Sequence, residues 1–227
     1  MKTYRFLFNG RIAESRELPE GATLLPPALP TKIVCVGRNY ADHAKELGNE
    51  APVEPIIFLK PPSALLAPFG TIVRPPQSQR VDFEGELAVI IGRESKNVSG
   101  KNWRDAVRGF ACANDVTARD LQKKDVQFTR GKSFDTFCPL GPCIEDEPDP
   151  SDLRITTRVN GEVRQDGRTS QMIFPVPFLI EFISSVMTLM PGDVILTGTP
   201  AGVGPLAAGE TVEVEVEGIG VLRNAVA

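Results

Sequence analysis

Residues 82–92, DFEGELAVIIG, join a run of acidic side chains to a stretch that is apolar at every position. Side chains alternate along a β-strand, so Asp82, Glu84 and Glu86 are expected to face one way. After Glu86 both faces of the strand are apolar, which is typical of a strand buried on both sides. The stretch therefore predicts a β-rich fold in which a core strand carries carboxylates at its entrance.

The two glutamates of this stretch predict a metal site. Carboxylates at i and i+2 on a partly buried strand repel each other and lose hydration, unless a cation or protons compensate. Asp115, within the apolar run 110-FACANDV-116, supplies a third acid of the same kind. Oxygen ligands suit Mg²⁺, Mn²⁺ or Ca²⁺. The alternative is that Glu84 and Glu86 pair with lysines across a solvated sheet face.

The only histidine of the 227 residues, His43, lies in 37-GRNYADHAKE-46, three residues before Glu46. On one helical turn the two side chains come within reach of each other. A carboxylate that accepts one imidazole N–H fixes the tautomer and favours the other nitrogen as a general base. The pair is a candidate base dyad, and a surface histidine in a polar helix is the alternative.

Composition excludes several classes of protein. The formal net charge is −4 and the basic residues are scattered, so a nucleic-acid partner is not expected. No run reaches the ~20 apolar residues of a membrane span. Polar residues interrupt the amino-terminal MKTYRFLFNGRIAE, which argues against a signal peptide and predicts a cytoplasmic protein without a membrane partner.

The cysteines are predicted to be buried free thiols, because they lie in or beside apolar runs and include no CxxC pair. One histidine cannot form a multi-histidine metal site, so any metal must be held mainly by oxygen. The four cysteines are Cys35, Cys112, Cys138 and Cys143.

The sequence predicts two parts, a short amino-terminal appendage at residues 1–31 and a candidate catalytic domain at residues 32–227. The appendage contains two short strand patterns and a proline-rich end, and the domain contains short β-rich runs punctuated by Gly and Pro. Asn160-Gly161 predicts a two-residue hairpin turn. Residues 175–190 predict a helix that is buried because most of its surface is apolar.

Two further segments bear on the site. Residues 117–125, TARDLQKKD, predict a short helix capped by Thr117, with Asp120 three residues on. The glycine-rich 197-TGTPAGVG-204 lacks the ending of a phosphate-binding P-loop. That loop is expected to present the Thr199 hydroxyl and backbone amides to a substrate.

Seven motifs occur in order along residues 32–227, and together they resemble the fumarylacetoacetate hydrolase family. They are specific for the superfamily but not for one substrate. The motifs are GRNYxxHxxExG at 37–48, FLKPP at 58–62, ExE at 84–86, NDVTARDLQ at 114–122, GKSFDTFCPLGP at 131–142, VNGExRQ at 159–165 and PGDVILTGTPxGVG at 191–204.

The resemblance implies an α+β, β-rich fold, a mixed β-roll with a few helices, and usually a homodimer. It implies that Glu84, Glu86 and Asp115 hold Mg²⁺ or Mn²⁺. His43 and Glu46 would be the base dyad, on a segment that orders as a lid in relatives. Lys132 would bind an enolate or carboxylate oxygen, Gln122 and Thr199 would contact the substrate, and the pocket would be shaped by Arg38, Asn39, Tyr40 and Lys60.

Only about 30 residues precede the motifs, whereas eukaryotic fumarylacetoacetases carry a large amino-terminal domain, so small bacterial relatives are the closer match. The first hypothesis is a metal-dependent hydrolase or lyase of short 2-oxo acids. It would cleave a C–C bond of an acylpyruvate such as acetylpyruvate or fumarylpyruvate, or decarboxylate oxaloacetate, through an enolate. The second is an isomerase or tautomerase of 2-hydroxyhepta-2,4-diene-1,7-dioate or oxaloacetate type in aromatic catabolism. A binding module that lost turnover is the third.

Overall fold

A computed structural model describes all residues from 1 to 227. Strands dominate it. In chain order they are β1 (Lys2–Phe8), β2 (Arg11–Ser15), β3 (Thr23–Leu24), β4 (Ile33–Gly37), β5 (Ile56–Lys60), β6 (Leu65–Leu66), β7 (Thr71–Ile72), β8 (Val81–Phe83), β9 (Gly85–Ile91), β10 (Val107–Asn114), β11 (Thr117–Ala118), β12 (Cys138–Glu145), β13 (Arg154–Val159), β14 (Glu162–Arg168), β15 (Val194–Leu196), β16 (Gly204–Pro205), β17 (Thr211–Val216) and β18 (Gly220–Val226).

Four α-helices interrupt the strands, and the longest has 11 residues, so no helix has the length and hydropathy to cross a bilayer. The predicted β-rich α+β class is confirmed. The helices are α1 (Ala41–Glu46), α2 (Arg119–Lys124), α3 (Thr129–Lys132) and α4 (Val176–Val186), with short 3-10 turns at Pro62–Ala64, Trp103–Ala106 and Thr169–Gln171.

The strands form three sheets with mixed pairing. The largest has the order β2-β1-β12-β10-β9-β15-β4-β5, with β3 added beside β1 and β6 beside β12. A three-stranded sheet has the order β11-β8-β16, and a five-stranded sheet has the order β14-β13-β17-β18-β7. Most neighbours are antiparallel, whereas β15 runs parallel to β4, β12 to β6 and β18 to β7.

The acidic stretch at 82–92 crosses from one sheet to another. Strand β8 belongs to the three-stranded sheet and β9 to the largest, with Glu84 at the break between them. All seven residues of β9 are buried between β10 and β15. Leu87, Val89 and Ile91 pack with α4 and the five-stranded sheet, while Ala88 and Ile90 pack into a second cluster on the other face. The predicted buried strand is confirmed.

Helix α4 is shorter and less buried than its sequence indicates. It ends at Val186 because Met187 is extended, with φ −139° and ψ 150°. Leu179, Ile180 and Ile183 are buried in the core, but the side chains at Phe178 and Val186 are 42% and 54% exposed. The prediction of a helix buried on most of its surface is therefore wrong for the outer face.

The Asn160-Gly161 turn is confirmed: both residues have positive φ, 52° and 83°, and they join the antiparallel strands β13 and β14. Helix α2 is also confirmed, but its predicted cap is wrong. The Thr117 hydroxyl donates to the carbonyl of Asp115, and the Asp120 carboxylate accepts from Ser78 instead.

The amino-terminal strands join the largest sheet. Strand β1 pairs with β2 and β3, and its first residues, Lys2 and Thr3, pair with Glu145 and Ile144 of β12. The four cysteines are buried and free, as predicted. Burial raises the pKa of the Cys112 and Cys138 thiols to about 12, so these thiols are packing groups rather than nucleophiles.

Candidate active site and metal centre

The three predicted metal ligands lie together at the buried start of β9. Glu84, Glu86 and Asp115 each offer an oxygen atom, and these atoms all lie within 4.8 Å of one another. Their exposed fractions are 5%, 2% and 1%. The alternative of a solvated sheet face is therefore wrong, although Glu84 does pair with a lysine, the buried Lys132.

Strand register explains how the acids meet. Strands β9 and β10 are antiparallel, with Asn114 opposite Gly85, and the backbone N–H of Asp115 donates to the carbonyl of Glu84 at 2.8 Å. The side chain of Asn114 accepts from the N–H of Glu84 at 2.9 Å. Two segments that are 30 residues apart in the chain are thus locked side by side.

Two buried lysines donate hydrogen bonds to the acids. Lys132, at the end of α3 and 2% exposed, donates to Glu84 at 2.9 Å and to Asp115 at 2.7 Å. Lys60, 1% exposed, donates to Asp115 and to the carbonyl of Val116. Both ammonium groups are therefore paired with buried carboxylates, which offsets the cost of burying a charge.

Arg119 is a residue of the cluster that the sequence reasoning did not single out. Its guanidinium donates to Asp82 at 3.0 Å, to Glu84, and to the amide oxygen of Gln122 at 2.6 Å. Its position in the motif NDVTARDLQ, between the predicted site residues Asp115 and Gln122, is the feature of the sequence that could have identified it. A fork of five donors suits three acceptors at once.

Basic neighbours offset the negative charge of Glu84 but not that of Glu86. Burial alone raises the pKa of Glu84, but the charges of Lys132 and Arg119 outweigh it, so the pKa lies well below its usual range. Burial and the charges of Asp115 and Glu84 raise the pKa of Glu86 well above its usual range. The Glu86 carboxylate accepts one hydrogen bond, from the N–H of Gly198 at 2.7 Å.

These carboxylates fit a divalent cation. Glu86 is buried and under-compensated, so a cation held between it and the other two acids would remove the repulsion that raises its pKa. Carboxylate oxygens are hard ligands that Mg²⁺ and Mn²⁺ accept. Three ligands leave coordination positions free for small molecules.

The predicted contact between His43 and Glu46 forms on α1. Nδ1 of His43 lies 3.2 Å from Oε2 of Glu46, which leaves Nε2 as the free ring nitrogen. His43 is only 4% exposed, so the alternative of a surface histidine is wrong. Both oxygens of Glu46 also accept from the N–H of Gly202, at 3.1 and 3.3 Å.

The glycine-rich loop 197–204 contacts both halves of the site. The N–H of Gly198 binds Glu86, and the N–H of Gly202 binds Glu46. Gly202 has φ +100°, and a Cβ there would lie 2.2 Å from the carbonyl oxygen of Arg164, so the residue must be glycine. One loop therefore orients a carboxylate of the acidic cluster and the carboxylate beside His43.

A cavity of about 310 Å³ opens between α1, α2 and the acids. Glu84, Glu86, Asp115, His43 and Lys132 all line its wall. Among the residues implied by resemblance, Arg38, Gln122 and Thr199 line it as well, together with Arg119, Phe58 and Phe128.

Four predicted residues lie outside the cavity wall. The Asn39 side chain, 0% exposed, donates to the carbonyls of Phe174 and Thr197 and accepts from the N–H of Phe174, so it fastens the chain before α1 to two neighbouring segments. Tyr40 is buried immediately before α1, Lys60 lies behind Asp115, and Glu46 lies behind His43. Substrate contacts by Asn39, Tyr40 and Lys60 stay predictions.

Several known proteins are similar to this chain in sequence and in fold. Human mitochondrial oxaloacetate tautomerase FAHD2A is 48% identical over 215 residues, which cover 89% of this chain and 68% of that protein. A Mycobacterium smegmatis structure described as 5-carboxymethyl-2-hydroxymuconate delta-isomerase has a TM-score of 0.91 and 44% identity, covering 100% of this chain and 98% of the other.

A third relative was solved with ligands. The structure of fumarylpyruvate hydrolase from Pseudomonas aeruginosa, in complex with Mn²⁺ and pyruvate, has a TM-score of 0.82 and 31% identity, covering 94% of this chain and 99% of the other. The family model of the C-terminal region of fumarylacetoacetate (FAA) hydrolase matches residues 32–227. With its fold and its motifs in agreement, the chain belongs to the fumarylacetoacetate hydrolase family.

Proposed function

We propose that the protein is a divalent-metal-dependent enzyme that makes or consumes the enolate of a short 2-oxo acid. One observation carries the proposal: the His43–Glu46 dyad and the three acids line, or directly support, one cavity of about 310 Å³. Four basic side chains and the three acids line this cavity, so with a divalent cation bound it would suit a short anionic substrate better than a large apolar one. A dyad beside a cation site has no use in a protein that only binds.

The residues divide the work in this proposal. Glu84, Glu86 and Asp115 would hold Mg²⁺ or Mn²⁺, which when bound supplies positive charge for an enolate oxygen. Lys132 and Arg119 add fixed positive charge at the same wall. His43 moves a proton through Nε2, and Glu46 holds the ring so that Nδ1 keeps its hydrogen.

Two reactions use this arrangement. In the first, His43 transfers a proton at the carbon beside the 2-oxo group, which is tautomerisation or isomerisation. In the second, His43 takes a proton from water that attacks the distal carbonyl of an acylpyruvate, and a C–C bond breaks. Cleavage is the first hypothesis from the sequence. The more similar of the reported relatives are a tautomerase and an isomerase, which supports proton transfer as the first reaction to test.

Product analysis by NMR tests the proposal. The protein is incubated with Mg²⁺ or Mn²⁺ and oxaloacetate, acetylpyruvate, fumarylpyruvate or a hydroxymuconate-type diacid, beside the His43→Ala protein. Metal-dependent keto–enol interconversion, lost in the variant, supports proton transfer, whereas release of pyruvate supports cleavage. Metal binding without turnover of any of these compounds would instead identify a binding module and end the proposal.

A homodimer in the cytoplasm remains the prediction for the state of the enzyme. Light scattering on the purified protein measures its mass against the 24.6 kDa of one chain. A mass near twice that value is the expected result.

A further inference from the structure

Gln165 is a buried polar residue for which the proposed reaction has no role. It comes from the motif VNGEVRQ, lies on β14 and is 1% exposed. Its side-chain oxygen accepts from the N–H of Gly85 at 2.9 Å. Its side-chain nitrogen donates to the hydroxyl of Thr199 at 2.7 Å and to the carbonyl of Pro200 at 2.8 Å.

Two backbone groups fix which way this amide points. The N–H of Gly85 can only donate and the carbonyl of Pro200 can only accept, so a flipped amide would face both with the wrong atom. The N–H₂ group of Gln165 therefore has to face Thr199. The position is also close-fitting: a Cβ at Gly85 would lie 2.0 Å from Oγ1 of Thr157 and 3.2 Å from Oε1 of Gln165.

The orientation of Gln165 sets the hydrogen bonding of Thr199. A hydroxyl group can donate one hydrogen bond and accept two. Thr199 already accepts from Gln165, and its own proton goes to the carbonyl of Gly85 at 2.9 Å. The Thr199 hydroxyl can therefore accept one more hydrogen bond and can donate none. Thr199 lines the cavity together with Glu86 and His43.

We propose that Gln165 is a positioning residue that turns the Thr199 hydroxyl into a hydrogen-bond acceptor towards the cavity. The site then selects a bound molecule that carries a hydrogen-bond donor at this point, which is the enol hydroxyl of the 2-oxo acid or a water molecule, over a carboxylate or keto oxygen. This inference rests on the proposed function for the identity of the ligand, but not for the direction of the hydrogen bonds.

Neutron diffraction of the perdeuterated protein tests the direction without ligand or activity. The expected map shows deuterium of Thr199 between Oγ1 and the carbonyl oxygen of Gly85, and both amide deuterons of Gln165 on the side of Thr199 and Pro200. Deuterium of Thr199 pointing into the cavity would overturn the proposal.

Binding of two matched probes tests the selection. Oxalate presents only acceptor oxygens, whereas oxamate has nearly the same shape and replaces one oxygen by an NH₂ donor. Dissociation constants are measured by calorimetry with Mg²⁺ for the wild type, Gln165→Met, Thr199→Val and Thr199→Ser. The ratio of the two constants separates positioning from simple loss of structure, because a damaged site weakens both probes alike.

The ratio should move towards oxalate by about fivefold or more in Gln165→Met and in Thr199→Val, the size of one net hydrogen bond. Thr199→Ser keeps the hydroxyl and should keep the wild-type ratio. An unchanged ratio in Gln165→Met, with both probes weakened equally, would mean that Gln165 acts only as packing. If that variant does not fold, Thr199→Val and the neutron map still decide.

The two proposals can fail separately. If neither probe binds the wild type with Mg²⁺ or Mn²⁺, the proposed function fails, while deuterium directed at Gly85 still supports the positioning role of Gln165. If both probes bind but the ratio is the same in all four proteins, the positioning role fails and the proposed function stands.

Discussion

The two ends of the β9–β15 strand pair each hold a buried carboxylate, and the protein treats them in opposite ways. At one end, Asp193 is 0% exposed and accepts from the N–H and hydroxyl of Thr31 at 2.9 and 2.8 Å and from the N–H of Met190 at 2.8 Å. The backbone and side chain of Lys32 also donate to it. Every lone pair that burial removes from water is replaced.

At the other end, Glu86 is 2% exposed and accepts a single hydrogen bond. Its pKa is raised by burial and by its acidic neighbours. For Asp193, burial also raises the pKa, but the hydrogen bonds of Lys32, Met190 and Thr31 outweigh it and lower the pKa. This sheet can saturate a buried carboxylate with hydrogen bonds, so the single hydrogen bond to Glu86 supports the proposed cation site at this end.

The largest expected effect tests the unsaturated end. Glu86→Gln removes the charge but keeps the shape, so metal affinity should fall and metal-dependent turnover should drop by at least about 10²-fold. The free energy of unfolding without metal should not fall, because an uncompensated buried charge has been removed. Calorimetric metal titration and urea unfolding measure both. Full activity of this variant after chelator treatment would contradict the metal site.

The next effect concerns the dyad. His43→Ala should reduce turnover by about 10²-fold, the usual contribution of a general base, and leave metal affinity unchanged because His43 is not among the three ligands. Glu46→Gln is the matched variant: it keeps the shape but lowers the basicity that the dyad provides. An equal loss of metal binding in His43→Ala would place the histidine in the metal site instead.

A smaller effect is expected at the saturated end. Asp193→Asn should lower the free energy of unfolding by about 2 kcal/mol, because several buried donors lose a charged acceptor. Turnover of the folded protein should remain unchanged. Asp166→Asn is the control, since Asp166 is an exposed carboxylate paired with Arg154 and should change stability by less than about 1 kcal/mol. If both variants lose the same free energy of unfolding, the hydrogen bonds to Asp193 contribute no more to stability than an exposed ion pair does.

The smallest effect is the response of the two ends to acid. The pKa of Asp193 is depressed in the folded state, so its stabilising contribution is present above the unfolded value near 3.8 and is lost as pH falls through the folded value. The pKa of Glu86 is raised, so its destabilising charge is relieved as pH falls towards 4.5.

Urea unfolding of the metal-free protein between pH 7 and 3 measures these opposite slopes. Relative to the wild type, Asp193→Asn should lose less stability below pH 4. The wild type should gain stability as pH falls towards 4.5, because Glu86 becomes protonated in the folded state. Glu86→Gln should not show this gain. Identical dependence of stability on pH in the two variants would show that Asp193 and Glu86 do not have pKa values shifted in opposite directions.

The sequence singled out the three acids as buried carboxylates because their signal is local in the chain, and their role as metal ligands stays a prediction. Alternation places Glu84 and Glu86 on one side of a strand, and the apolar residues around Asp115 indicate that it is buried. The dyad is equally local, since one helical turn joins His43 to Glu46. These local signals need no knowledge of which strand lies beside which, but the meeting of Asp115 with the two glutamates depends on the register of β9 and β10.

The remaining contacts depend on register across sheets. Gln165 reaches Gly85 and Thr199 only because β14 passes behind the start of β9, and no spacing in the chain encodes that approach. Arg119 likewise meets Asp82 and Glu84 through pairing of β11 with β8. The sequence does not predict the early end of α4 because three of residues 187–190, MTLM, are apolar, although this segment is extended and pairs with Ser95 through Leu189.

The loop at 197–204 has a thermodynamic consequence. Its two glycine amides bind Glu86 and Glu46, so the cation binding proposed at Glu86 and the docking of α1 through Glu46 both depend on the same segment of backbone. Equilibria that share an element are linked, and the linkage is reciprocal. A ligand that tightens α1 over the cavity should raise metal affinity by the same factor by which the metal raises the affinity for that ligand.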